Sequence, residues 1–195
     1  QKTAYEIPKR DWSSDVCYSD LTGLNSVAIG FNALDSNTTG NDNFAFGTNA
    51  LTANTVGSFN FAAGTGVLGK NINGTHNFAV GYLSQTENSV GDHNITIGRE
   101  SGRLNTSGSA NVAIGYSALR ANVTGSNNIA IGQNAGTVLN TGSNNVFIGY
   151  NAGSSDTNLT DTVVISANTE RIRIDSSGNV GIAKTSPNAR LDVSG

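Results

Sequence analysis

Between residues 22 and 161 the side chains able to do acid–base or metal chemistry are few: Asp35, Asp42, Glu87, Asp92, Glu100, Asp156, Asp161, His76 and His93. Two carboxylates flanking a sugar would support glycoside hydrolysis, one as general acid and the other as base or nucleophile. These acids form no such couple. Most lie far apart in the chain and no pair recurs, so the expectation is no catalytic residue, no enzyme and no cofactor. The two imidazoles stand seventeen residues apart, with Asp92 beside His93 and Asp42 thirty-four residues before His76. Imidazole ligates metals when neutral and attracts anions when protonated, which makes His76 and His93 a candidate ion site. The plain alternative is a variable exposed position, because Asn25, Phe59, Ala110, Asn127 and Asn144 fall in the same register.

A third candidate carries recognition chemistry. The register Phe31, Thr48, Thr65, Tyr82, Arg99, Tyr116, Gln133, Tyr150 is varied and amphipathic where its neighbours are uniform. Aromatic rings and Arg on a rigid support suit contact with a protein or glycan, so Tyr82, Arg99, Tyr116 and Tyr150 form a candidate surface-contact stripe. The competing reading is that these rings cover a corner of the fold.

All of these positions are set by a seventeen-residue repeat. Glycine recurs at Gly30, Gly47, Gly64, Gly81, Gly98, Gly115, Gly132 and Gly149, each closing a short apolar word such as VAIG, FAFG or IAIG. A second glycine register runs from Gly23 to Gly142, and together the two hold sixteen of the 24 glycines. Glycine at this regularity marks the corners of a stacked coil. The word between is too short and too rich in Val, Ile and Phe for a helix, so it predicts a strand. Asparagine precedes the strand at Asn43, Asn60, Asn77, Asn94, Asn111, Asn128 and Asn145, and a second Asn register runs through 37, 54, 71, 88, 105 and 122. Identical amides one coil apart can hydrogen-bond as a ladder. The expected fold is an all-β parallel solenoid, a β-roll of about nine coils over residues 22–166, each coil carrying two short strands and two turns. Residues 167–195 predict a β-hairpin linker: Arg171 to Asp175, a turn at Ser177-Gly178-Asn179, Val180 to Ile182, then a third short strand from Arg190 to Val193.

The apolar word is two-faced. Val112 and Ile114 point one way and Ala113 the other, and the same holds in most copies. Apolar residues on both faces mean burial on both sides, and one thin coil covers only one of them. The other face predicts a second copy, and a closed homotrimer is the favoured solution.

Composition excludes several classes. Net charge is -3 with no basic run, which gives no footprint for nucleic acid, and no apolar stretch reaches the roughly 18 residues of a membrane helix. The single cysteine, Cys17, has no internal partner. It lies in residues 1–21, which lack the repeat and hold the only Trp. Residues 6–21, EIPKRDWSSDVCYSDL, resemble translated sequencing-adapter read-through, and 1–21 is expected to be a non-native leader; the competing reading is a genuine solenoid cap.

The N-x-V-A-I-G words followed by small residues resemble the head repeats of trimeric autotransporter adhesins, and equally the collar and shaft repeats of bacteriophage tail fibres. The adhesin resemblance implies a left-handed parallel β-roll of three chains whose head binds host surfaces; the period here is longer than in the best-known heads. The segment TERIRIDSSGNVGIAKTSPNARLDVSG resembles a linker found ahead of the C-terminal chaperone of tail-fibre proteins, with Ala183, Lys184, Thr185, Ser186 and Pro187 where GTTSP is usual. Together they imply an extracellular segment of a bacterial cell surface or phage virion, an internal piece of a longer fibre. Its partners would be itself, as a homotrimer, and a host-surface protein or glycan, with no nucleic acid and no membrane insertion. The alternatives are a tailspike-type polysaccharide depolymerase and a monomeric structural or ice-binding solenoid. The last is weakened by the broken Thr register Thr39, Val56, Asn73, Val90, Ser107, Thr124 and Thr141.

Overall fold

A computed structural model describes residues 23–194; the expected leader, 1–21, lies outside the described residues. The described chain is all-β and forms a parallel solenoid. Its first nine strands are β1 (Val27–Ile29), β2 (Phe44–Phe46), β3 (Phe61–Ala63), β4 (Phe78–Val80), β5 (Ile95–Ile97), β6 (Val112–Ile114), β7 (Ile129–Ile131), β8 (Val146–Ile148) and β9 (Val163–Ala167). Each pairs in parallel with the next, in register, so that residues 28, 45, 62, 79, 96, 113, 130, 147 and 164 stand in one line. Eight steps at the usual strand spacing make a stack about 38 Å long.

Each coil carries one strand, where the sequence suggested two. The reason lies in the Asn-Ala-Leu turn after the strand. Asn32 and Leu34 both take left-handed φ values, 55° and 53°, and the pattern repeats at Asn49 and Leu51. Alternating left-handed residues curl the chain out of the extended region. On the return side one carbonyl serves two donors: Thr38 and Thr39 N–H both point to Thr55 O, at 2.9 and 3.0 Å. The coils are therefore hydrogen-bonded to each other there without a regular ladder.

The sequence left open which strand face lies inside. The middle residue does: Ala45, Ala62, Ala79, Ala113 and Ala130 are fully buried, and the flanking Val, Ile and Phe face outward. Small Ala is required because the coil interior is thin and the Leu34, Leu51, Leu68 and Leu119 side chains already fill it. Where the strand residue grows, its neighbour shrinks. Phe147 replaces Ala, and Gly136 and Gly153 stand where other coils have Leu; a Cβ on Gly136 would lie 2.7 Å from the Phe147 ring. Gly153→Leu, a change towards the consensus, should therefore destabilise by about 1 to 3 kcal/mol through overpacking. Adding Phe147→Ala should recover most of the loss, measured by urea unfolding.

Both asparagine registers form ladders. Asn71 Nδ2 donates to Asn54 Oδ1 at 2.7 Å, and Asn88 Nδ2 to Asn71 Oδ1 at 2.8 Å. In the other register Asn94 Nδ2 donates to Asn77 Oδ1 and to Gly108 O, at 3.1 and 2.9 Å. Ser26 and Thr162 end this ladder, Ser26 Oγ accepting from Asn43 N–H and the Thr162 backbone N–H donating to Asn145 Oδ1. The amide-to-amide bonds of the first ladder end at Asn105; Asn122 Nδ2 donates only to Gly125 O, Leu139 takes the position after it, and Asn105 Oδ1 and Asn122 Oδ1 are left without partners. The two glycine registers serve different needs. Gly81 and its equivalents have φ between +107 and +134°, a corner no L side chain favours, whereas Gly91 has ordinary φ but sits where a Cβ would meet Gly108 O of the next coil.

At Asn168 (φ 76°) the chain reverses. Strand β10 (Thr169–Ile174) pairs antiparallel with both β9 and β11 (Val180–Ile182), and β12 (Leu191–Val193) pairs in parallel with β11. The hairpin about Ser177-Gly178-Asn179 is held by Asp175, whose Oδ1 accepts the N–H groups of Ser177 and Asn179 at 2.9 Å. Register places Arg173 opposite Val164, on the interior line. Its guanidinium is buried there, bonded to Glu170 through Nε (2.8 Å) and Nη2 (2.6 Å) and to Asp156 Oδ2 (3.0 Å). Those carboxylates hold the guanidinium charged despite its burial.

Candidate functional site

The stripe after the strand glycine is brought together over three consecutive coils. Tyr82, Arg99 and Tyr116 stand one rung apart, all exposed, and the Arg99 guanidinium lies 5.5 Å from the Tyr82 ring centroid and 5.8 Å from that of Tyr116. Both contacts are within cation–π range, so the two rings brace the guanidinium from either side. Tyr150 belongs to the same register but stands two rungs beyond Tyr116, with Gln133 between. It is 45 % exposed and separate from the cluster.

Sequence reasoning missed what lies beside Arg99. Glu100 is reached by three guanidinium groups: Arg120 Nε at 3.0 Å, Arg99 Nε at 3.4 Å and Arg103 Nη1 at 3.8 Å. The hydrogen bond from Arg120, and then the charges of Arg103, Arg120 and Arg99, hold the Glu100 carboxyl below its usual value against the opposing effect of burial. No basic run exists in the sequence, yet Lys70, Arg99, Arg103 and Arg120 are the only Lys and Arg between residues 22 and 168. All four fall in the same six-residue part of the repeat, the turn after the strand. Folding the register onto the coil would have gathered them; reading the chain linearly did not. Lys70 bonds Glu87 on the next rung at 2.7 Å.

The interior changes at the same level. Ser84, Gln85, Thr96 and Ser101 replace the Ala and Leu of other coils and are all buried. Ser84 Oγ donates to Thr96 Oγ1 at 2.8 Å and lies 2.9 Å from Ser101 Oγ, while Ser101 Oγ donates to Gly98 O. This polar plug divides the core, with one apolar cluster from Ala28 to Ala79 and another from Ala113 to Val164.

His76 and His93 are exposed neighbours in one register, with ring centroids 4.8 Å apart and planes within 1°. Phe59 continues the stack beneath His76 at 4.8 Å. The rings thus cover one another's faces. Asp92 is engaged elsewhere, its Oδ1 accepting from Thr75 N–H and Oγ1 at 2.6 and 3.0 Å. Among the described residues no group of three His, Cys, Asp or Glu is placed to hold a metal ion.

The outward face of the strands is the largest candidate surface. Positions one and three of β1 to β9 hold only Val, Ile, Phe and Ala, without a polar residue. Phe44, Phe61 and Phe78 stack along it at 4.8 Å. Phe46, Ile97, Ile131 and Ile148 are 37 to 51 % exposed on the described chain. Among the described residues no helix is long and apolar enough to cross a membrane. Comparison with protein-family models, with curated proteins and with solved structures finds no match, so the reading of these surfaces rests on their geometry.

Proposed function

We propose that this chain is a non-enzymatic segment of an extracellular fibre, of the adhesin or phage tail-fibre kind, acting as a stiff trimeric spacer and as an attachment surface. The observation that carries the reading is the unbroken apolar face of β1 to β9. A stripe about 38 Å long by about 10 Å wide, free of polar side chains, is an association surface and, left open, an aggregation hazard. Its straightness argues for copies packed side by side along their length, and cyclic symmetry closes such a stripe without leaving a sticky edge. The repeat resemblance favours three copies. Acids dispersed along the coils, and Glu100 consumed by three Arg, support a surface that holds and does not transform.

Light scattering on the full chain tests the assembly, with a mass of three chains expected at all micromolar concentrations. A stable, unaggregated monomer sinks it. Attachment is tested separately: replacing Tyr82, Tyr116 and Tyr150 with Ser should weaken adhesion to cells or glycan surfaces while mass and circular dichroism stay unchanged. If the triple variant unfolds, the rings are packing elements and the stripe is not the attachment surface.

A further inference from the structure

We propose that the corner formed by Tyr82, Arg99 and Tyr116 with Arg103 and Arg120 binds an acidic polysaccharide, one bearing carboxylate or sulfate groups. The proposal rests on the stripe being an attachment surface and names the ligand chemistry.

Charge is the first support. Three guanidinium groups surround one carboxylate within three rungs, about 10 Å of rod, leaving a local excess of two positive charges on a chain whose net charge is -3. Of the acids, Asp42, Asp92 and Asp161 fall in the other turn of the repeat, before the strand; Glu87 shares the turn of the cations but is bonded by Lys70, and Asp35 and Asp156 share it two or more coils away from the three Arg. The three Arg around Glu100 thus form a local cationic patch on coils that are otherwise neutral or acidic.

Ring geometry decides what kind of ligand fits. A neutral sugar is gripped by laying its C–H face on an aromatic face, but Tyr82 and Tyr116 each turn a face to the Arg99 guanidinium. What remains is an edge of donors. Arg99 engages Glu100 through Nε, and among the described residues no hydrogen bond reaches its terminal nitrogens. Arg103 Nε is buried, so Arg103 can offer a ligand only its terminal nitrogens. A guanidinium braced between two rings has lost little-used freedom before the ligand arrives, and its planar N–H fork matches carboxylate or sulfate oxygens. Cations repeated along a straight edge suit a repeating polyanion better than a single small ion.

The interior supplies an independent sign. Asn-Ala-Leu, the turn that packs best, gives way to Leu-Ser-Gln at residues 83–85 and to Glu-Ser-Gly at 100–102, and the buried hydroxyls of Ser84, Thr96 and Ser101 lie directly behind the patch. A buried polar network is less stabilising than the Ala and Leu it replaces. Unlike the departures at Gly136, Phe147 and Gly153, which compensate one another in packing, this one is polar and coincides with the exposed cations of the same coils.

The test uses the full chain and four immobilised polymers: heparin (sulfated), alginate (carboxylated), dextran (neutral) and single-stranded DNA. Heparin or alginate should retain the chain and dextran should not, with retention falling as salt is raised. Arg99→Gln should weaken binding at least about tenfold, as expected for loss of a charge-assisted bidentate contact. The pair Arg103→Gln and Arg120→Gln should weaken it further, and Arg190→Gln, in the turn before β12, should have no effect. Circular dichroism and light scattering on each variant establish that fold and mass are kept. Equal loss for Arg99→Gln and Arg190→Gln, retention of the chain on dextran as strong as on heparin, or tighter binding to DNA than to either acidic polysaccharide overturns the proposal. A chain that adheres to cells through the Tyr stripe yet ignores both acidic polymers refutes this inference alone; a chain that adheres to nothing refutes the attachment reading.

Discussion

Ile114→Asp should convert the proposed trimer to single chains, with the scattering mass falling to one third of the unsubstituted chain's and the far-ultraviolet spectrum unchanged. Ile114 lies at the centre of the outward face and is already partly exposed on one chain, so a carboxylate there is solvated in the monomer. In a trimer closed through that face, three carboxylates at one level would be desolvated and would repel, at a cost of several kcal/mol. Ala113→Asp, one residue away, should do the opposite kind of damage. Ala113 is fully buried on the interior line, and a carboxylate there has no cation to pair with, so the coil itself should fail to form. Retention of the trimer mass by Ile114→Asp would mean that the contact lies on another face.

The second large effect is expected at Asn94. Its Oδ1 accepts from Asn111 N–H at 3.0 Å and Nδ2 at 3.1 Å, and its Nδ2 donates to Asn77 Oδ1 and Gly108 O. Asn94→Ala removes four bonds at once and leaves the buried Asn111 N–H without a partner. Partial compensation exists, since Gly108 O also accepts from Asn105 and Asn77 Oδ1 from Gln85 and from the Asn94 backbone. A loss of about 3 to 5 kcal/mol is therefore expected in urea unfolding, the sum of lost bonds and one orphaned donor. Asn127→Ala is the contrast. Asn127 is exposed and left-handed, in a register where Ala110 already adopts φ 56°, so its loss should be about 1 kcal/mol, the left-handed preference alone. Comparable losses at both sites would show that the ladder contributes little.

Much of this architecture was legible because each coil repeats the same physical problem. The glycine registers, the strand words and both Asn ladders follow from spacing alone, and the hairpin about Ser177-Gly178-Asn179 follows from turn chemistry. The second strand of the coil was not legible. Its failure comes from left-handed φ at Leu34 and its equivalents, a conformation for which a bulky apolar residue gives no sequence signal; burial holds Leu there against its preference. The inward face was undecidable for a related reason, since Ala and Val are both apolar and only the width of the closed coil selects the smaller. At the candidate site the Tyr and Arg stripe was visible by contrast with uniform neighbours. The Glu100 hub was not, because Arg103 and Arg120 are seventeen residues apart in the chain and adjacent on the rod. The role of Arg173 escaped for the same cause: an alternating strand gives no hint that one of its charged residues turns into the core at a reversal.

The direction of the inter-coil hydrogen bonds has a mechanical meaning. They run along the rod, so a pull applied between its two ends loads them end to end, one coil interface after another, and the bonds open in sequence instead of sharing the force. Each interface that opens converts a coil that occupied about 4.8 Å of rod into seventeen residues of chain able to extend to about 55 Å. Yielding should begin where the apolar core is interrupted, at the hydroxyl plug between the Ala28–Ala79 and Ala113–Val164 clusters. The rod should thus behave as a spring with a preset fuse at mid-length, giving way by short lengthening steps under tension.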